Sequence, residues 1–176
     1  MAFIRSKRIK GHEYFYLVEN FRQGSRIVQK VIKYLGKSGV FDKTVNYLTS
    51  RDINEIHEKA IKKFGGERGI LNPGTIDFAA DYLFDKRISE KNPLERNAAR
   101  AGKLLHFIIS THPFVDGNKR TGFESARLLL ILNGFDVKYS LDEAARFCFD
   151  VGSGKVNEKE VMEWLLKRMK LLKGRA

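Results

Sequence analysis

The feature that most constrains this chain is a change of hydrophobic period near Thr49. Before it, apolar and polar residues alternate in short aromatic and β-branched runs; after it, apolar residues recur three and four positions apart. The first period presents one face of a strand and the second one face of a helix, so the chain divides into a strand-forming and a helix-forming part.

Residues 1–36 are expected to form a three-stranded antiparallel β-meander. Phe3 to Lys10 alternates, Gly11-His12 offers a turn, and Tyr14-Phe15-Tyr16-Leu17-Val18 is rich in strand-forming side chains. Gln23-Gly24-Ser25 is a second turn, and Ile27 to Leu35 alternates again. Arg26, Gln29 and Lys33 suit a solvent face, while Ile27, Val31 and Leu35 recur nearby. Residues 37–48, opening with the Lys37-Ser38-Gly39 end of a glycine-bounded stretch, are expected as a linker.

Residues 49–176 are expected to form a bundle of about six helices, making the fold mainly α. The first carries Ile53, Ile56, Ala60, Ile61 and Phe64 at helical spacing and ends at Gly65-Gly66. A second spans about 75–84. A third opens at Asn92-Pro93-Leu94-Glu95, with Asn as N-cap and Pro at the first helical position, and runs to about Ser110. A fourth covers 118–132 and stops at Asn133-Gly134. A fifth begins at the capping box Ser140-Leu141-Asp142-Glu143, and a sixth runs from Asn157 through Lys173.

Charge and cysteine usage narrow the setting. The formal charge is +12, and residues 1–36 carry half of it, with eight Lys/Arg against two Glu. Such a segment attracts nucleic acid, an acidic protein or phosphate-bearing ligands. The single cysteine, Cys148, lies in an apolar setting and is expected in the core of a protein from a reducing cytoplasm. No apolar run approaches the roughly 20 residues that span a bilayer, so no membrane partner is expected. The basic start, Met1 to Lys10, is not followed by an apolar signal core.

The chemistry concentrates in His112-Pro113-Phe114-Val115-Asp116-Gly117-Asn118-Lys119-Arg120-Thr121-Gly122, between the third and fourth helices. A loop that enters a helix through Asp-Gly-Asn points unpaired backbone amides at an anion. Lys119 and Arg120 sit in the first turn, where the helix dipole disfavours cations unless a polyanion is bound. Asp116 is a hard oxygen ligand suited to Mg²⁺ bridging phosphates. Gly117, Asn118, Lys119 and Arg120 are the phosphate-binding candidates, and Asn118 can act through its amide. His112 is the natural general base, and Phe114 anchors the loop. Taken singly, each residue has a plainer account: an ordinary turn and cap, a solvent-facing histidine, a solvated basic face. His57, on the first helix beside Ile56, reads as a packed histidine.

The string His112 to Arg120 resembles the Fic motif, His-Pro-Phe-x-Asp/Glu-Gly-Asn followed by a phosphate-clamping Arg, and its Lys119 resembles the death-on-curing (Doc) branch of that superfamily. Ile56-His57-Glu58, Phe64-Gly65-Gly66 and Gly69-Ile70 are similar to the opening helix of Doc-like chains. The resemblance spans about 49–168 and implies a Fic-type bundle that uses ATP or another nucleoside triphosphate with Mg²⁺. Fic enzymes usually transfer AMP to a protein hydroxyl (AMPylation). Doc-type members are understood to bind the nucleotide reversed and transfer its γ-phosphate. Fic proper has a second motif Arg where this chain has Phe123, which with Lys119 favours the kinase chemistry; Gly117, where some Doc proteins carry Ala, leans toward nucleotidyl transfer. A non-catalytic module binding nucleic acid or protein is the remaining alternative.

The resemblance also implies a flap that docks the target, placed here at Lys86, Arg87 and Ile88. Fic proteins are often restrained by a helix bearing Ser/Thr-x-x-x-Glu-Gly/Asn; that string is absent from this sequence, so an inhibitor would act in trans, as the antitoxin of a Doc-type toxin–antitoxin pair does. Tyr14 to Asn20 and Val31 to Gly36 resemble the start of some transposase-like chains. For the basic segment, contact with nucleic acid, contact with a protein, and capping of the bundle all stay open.

Overall fold

The computed structural model of this chain describes residues 2–10, 12–37, 46–82 and 93–172. It is mainly helical, with six helices and small antiparallel strands among those residues.

Three strands come first: β1 (Ala2–Ile9), β2 (His12–Gln23) and β3 (Arg26–Lys37). They pair antiparallel in the order β1-β2-β3. Gly24 turns the chain between β2 and β3 at φ 63°, a left-handed conformation that glycine adopts without strain. Two corrections follow. Lys37, expected as the first residue of the linker, lies within β3. Ile27 and Val31 are 74% and 56% exposed, while Gln29 is partly buried. Unbroken pairing of Ile27, Gln29 and Val31 with Arg22, Asn20 and Val18 puts all three on one face of the sheet, so the polar and apolar residues expected on opposite faces share one; the register shifts at Leu17/Val18 and Phe15/Tyr16 come only beyond Val31.

The helical part begins before Thr49. Of the stretch expected as a linker, residues 38–45 lie outside the described residues, but Asn46 to Leu48 pack into the bundle. Asn46 N and Nδ2 donate to Asn133 Oδ1 and Leu132 O, each at 2.9 Å, and Leu48 is 1% exposed. Thr49 then caps α1 (Ser50–Phe64) in a capping box with Asp52.

Helices α2 (Pro73–Tyr82) and α3 (Pro93–Thr111) follow; the expected N-cap Asn92 lies outside the described residues. α3 packs on α2, α4 (Asn118–Leu132), α5 (Leu141–Gly152) and α6 (Glu158–Leu166). Its Leu104, Leu105, Ile108 and Ile109 are at most 1% exposed, so it is the central element of the core. Cys148 of α5 is buried, and burial pushes its thiol up to about 12, as a core cysteine requires.

The chain after α6 departs from expectation. The helix ends at Leu166 rather than running to Lys173, and β5 (Met169–Leu171) pairs antiparallel with β4 (Phe135–Val137). Competing bonds explain the stop. Arg168 lies 4.2 Å from the Trp164 ring and pairs with Glu143. Lys138 N donates to Arg168 O and Leu172 N to Gly134 O, both at 2.9 Å, so the backbone is satisfied by β4 and its flanks. No helix among the described residues is long and apolar enough to cross a membrane.

Candidate active site at the start of α4

α3 ends with Thr111 Oγ1 donating to Phe107 O at 2.7 Å. His112 follows, exposed and with φ 47°, in a left-handed conformation that turns the chain away from the helix axis. The next residues are strapped to the segment after α1. Leu71 N donates to Pro113 O at 2.8 Å, Val115 N donates to Gly69 O at 3.0 Å, and Ile70 and Phe114 form an antiparallel bridge.

Beneath the strap lies Phe114, 0% exposed. Its backbone is gripped on both sides by one side chain: Phe114 N donates to Asn118 Oδ1 at 2.9 Å, and Asn118 Nδ2 donates to Phe114 O at 2.7 Å. The Asn118 amide, expected to face phosphate or a metal shell, therefore shapes the loop. The Phe114 ring stacks on His57 at 3.9 Å with planes 9° apart. His57 is 2% exposed, and its Nδ1 lies 3.2 Å from Thr121 Oγ1. Burial lowers its pKa against the opposing charges of Glu58 and Asp116, so the ring is neutral at pH 7. The packed histidine expected from the sequence is thus part of the loop's foundation.

Gly117 caps α4 from the left-handed region, with φ 74° and no side-chain cap. Helix geometry leaves the backbone amides of Asn118, Lys119 and Arg120 without acceptors inside the helix, and the dipole adds positive potential there. Asp116 is partly buried at the mouth of this turn. The Gly117 N–H holds its carboxylate below the usual range, helped by the Glu67 N–H and the Arg120 charge against a smaller effect of burial. Gly66 makes room for that carboxylate: a Cβ there would stand 2.4 Å from Asp116 Oδ2.

Arg120 reaches back to α1, with Nη1 donating to Gly65 O at 2.8 Å and its guanidinium 5.8 Å from the Phe64 ring centre. Phe64, expected on the covered face of α1, is 58% exposed. It forms one wall of a cleft of about 430 Å³, with Lys119, Arg120, Phe123, Tyr139 and Phe149 among the other lining residues. The cleft is thus mainly apolar, with four aromatic rings among its walls, and Lys119, Arg120 and Glu124 supply its charges. Phe123 is 7% exposed, its ring 4.8 Å from Tyr139 and edge-on to it.

The structure brings His112, Phe114, Asp116, Gly117, Asn118, Lys119 and Arg120 together, as parts of one loop and helix start. Lys86, Arg87 and Ile88 lie outside the described residues. Among the described residues, no group of three His, Cys, Asp or Glu is placed to share a metal ion. A single carboxylate nonetheless fits Mg²⁺, which takes one or two from protein and completes its shell with water and substrate phosphates. Sequence reasoning missed Thr121 as the partner of His57 and the strap from Gly69 to Asn72. The run of glycines at 65, 66 and 69, each with positive φ, was the available signal for a loop pressed closely against a neighbour.

Residues 47–130 match the model of the Fic/DOC family. A Fido domain-containing protein of Dictyostelium discoideum is 36% identical over 74 residues, which is 41% of this chain. The match spans about half, 51%, of that relative's own length. Both findings support the Fic superfamily, and the family model places that likeness on residues 47–130.

Proposed function

We propose that this chain is a nucleotide-dependent transferase of the Doc type, moving a phosphoryl group from ATP or another nucleoside triphosphate to a Ser, Thr or Tyr hydroxyl of a protein. The observation that carries the reading is the α4 start: open backbone amides, Lys119 and Arg120 in the first turn, and the low-pKa carboxylate of Asp116 beside them. A phosphate chain there offsets the conflict between those cations and the helix dipole. Mg²⁺, held by Asp116 and the phosphates, would supply charge neutralisation at the transferring group. His112, exposed at the loop's entry, is the base for the incoming hydroxyl. The basic groups of the α4 start hold phosphate, while the aromatic cleft walls suit the nucleobase.

A second reading, AMP transfer in the Fic manner, is favoured by Gly117. An Ala Cβ there would lie 3.0 Å from Ile61 Cδ1 at a left-handed φ, so this loop is built for the Gly that Fic proper carries. Phe123 favours the first reading, because the place of the second phosphate-clamping arginine is taken by a buried ring. The target would be a protein acted on in the cytoplasm, with any antitoxin-like inhibitor supplied by a separate chain. A non-catalytic role would account for Asp116 and Arg120, which bond the Gly117 amide and the Gly65 carbonyl, but would leave the exposed His112 without a use.

The test is Lys119→Gly, followed by mass analysis of a modified target. If Lys119 directs γ-phosphoryl transfer, the variant loses phosphorylation or gains AMP addition. Wild-type rate and product from the variant would sink the preference for phosphoryl transfer.

A further inference from the structure

We propose that Glu124 reads the sugar of the nucleotide, accepting hydrogen bonds from its 2′- and 3′-hydroxyls and so selecting ribonucleotides over deoxyribonucleotides. The inference rests on the nucleotide reading of the α4 start and adds the identity of the sugar to it. Among the described residues that line the cleft of about 430 Å³, Glu124 is the only acid.

Its place along α4 is the first argument. Glu124 follows Arg120 by four residues, about 6 Å along the axis and on the same side of the helix, and both line the cleft. The carboxylate repels phosphate, so it confines the phosphate chain to the helix start and leaves the rest of the cleft to the uncharged nucleoside. In a nucleotide the sugar is the unit bonded to that chain, and the base lies beyond it. An ionised carboxylate only accepts hydrogen bonds, through two oxygens, and a ribose presents two adjacent hydroxyl donors. The donor edge of a base is the part of a nucleotide farthest from the phosphates, whereas Glu124 stands within about one turn of them.

The carboxylate is also uncommitted elsewhere. Its Oε2 is 3.6 Å from Arg127 Nη1, too far for a hydrogen bond, and the Glu124 side chain is 46% exposed, where such a pair contributes little. Arg127 has a second counterion, with Nε 3.5 Å from Asp136 Oδ1, and does not depend on Glu124. On the cleft side Glu124 is close to Tyr139. Burial raises that hydroxyl above its ordinary pKa, opposed by Arg127 and reinforced by the charges of Glu124 and Asp136. The acid therefore faces an uncharged aromatic wall of the cleft.

The experiment measures, by titration calorimetry with Mg²⁺, binding of the four ribonucleoside triphosphates and their 2′,3′-dideoxy analogues to the full chain. Wild type should bind a ribonucleotide about tenfold tighter than its dideoxy form, the low end for hydrogen bonds to a charged group because Glu124 is half exposed. Glu124→Ala should bring that ratio close to one, and Glu124→Gln, which keeps one acceptor oxygen, should retain part of it. Urea midpoints check that both variants keep wild-type stability. A ratio near one in wild type, or a ratio unchanged by Glu124→Ala, would overturn the proposal and leave nucleotide binding at α4 standing. Failure of wild type to bind any of the eight triphosphates would remove the nucleotide reading and this inference with it.

Discussion

The imidazole of His57 lies parallel to the ring of Phe114, 3.9 Å away, although the two residues belong to different elements far apart in sequence. That contact joins α1 to the loop that carries every candidate catalytic group. Through Thr121 Oγ1 the same imidazole also touches α4. His57 is therefore placed to fix where the loop ends and the helix begins.

Its protonation should be visible in stability. Burial holds the folded-state pKa below the ordinary 6.5, so as pH falls through that value the unfolded chain binds a proton before the folded one does. This group's contribution to stability is constant above about pH 6.5 and declines below it, until the folded-state pKa is reached. His57→Phe keeps a stacked ring and removes the titration. Urea midpoints of both proteins at several pH values from 5 to 8 should show a smaller acid loss in the variant; equal acid losses would mean that His57 does not titrate on unfolding. Phe114→Ala should cost about 3–5 kcal/mol, the range for emptying a buried aromatic site.

Gly65 and Gly66 are adjacent and both have positive φ, yet they face different surroundings. A Cβ at Gly65 meets nothing within 4 Å, whereas one at Gly66 collides with Asp116 Oδ2. Gly65→Ala should cost only the local backbone strain, about 1–3 kcal/mol, because φ 76° with ψ 174° is a conformation open essentially to glycine alone. Gly66→Ala should in addition displace the carboxylate and lower transfer on the order of 10²-fold. Parallel stability and transfer measurements on the two variants separate the effects; equal losses of transfer would remove the role assigned to the Asp116 position.

His112 gives the opposite pattern. It is exposed, so His112→Ala should leave stability and nucleotide affinity nearly unchanged. Loss of a general base should lower the transfer rate about 10²–10⁴-fold. Near-normal transfer by the variant at neutral pH would take His112 out of the chemistry.

Much of this was legible in the sequence because the signals are local. Thr49 and Asp52 sit three residues apart and form their capping box; Asn118 to Leu132 keeps one period from the loop to Asn133. The helix start at Asn118 was legible in the same way, since Asp-Gly-Asn marks a turn and helix entry from local residues alone; the anion site expected there is what the proposed function rests on. What was hidden depends on distant partners. Asn118 reads as a free amide until Phe114 is found folded back onto it, and Phe64 reads as core until the helix is seen to end in a cleft wall. The strands β4 and β5, of three residues each, are too short to impose a period, and their pairing joins Phe135 to Leu171 across two helices. Basic residues of β1, β2 and β3 are plain in the sequence, but their division between two faces appears only with the register.

The central claim is that the α4 start handles a nucleotide so that its γ-phosphoryl group leaves for a protein hydroxyl. The most direct measurement incubates the full chain with Mg²⁺ and cell extract, using ATP labelled at the γ position in one reaction and at the α position in another. Label should pass to protein from the γ position alone, and Asp116→Asn and His112→Ala should each suppress it. Transfer of α label would establish nucleotidyl transfer instead, and protein free of label in both reactions, with other nucleoside triphosphates giving the same result, would contradict the transferase reading itself.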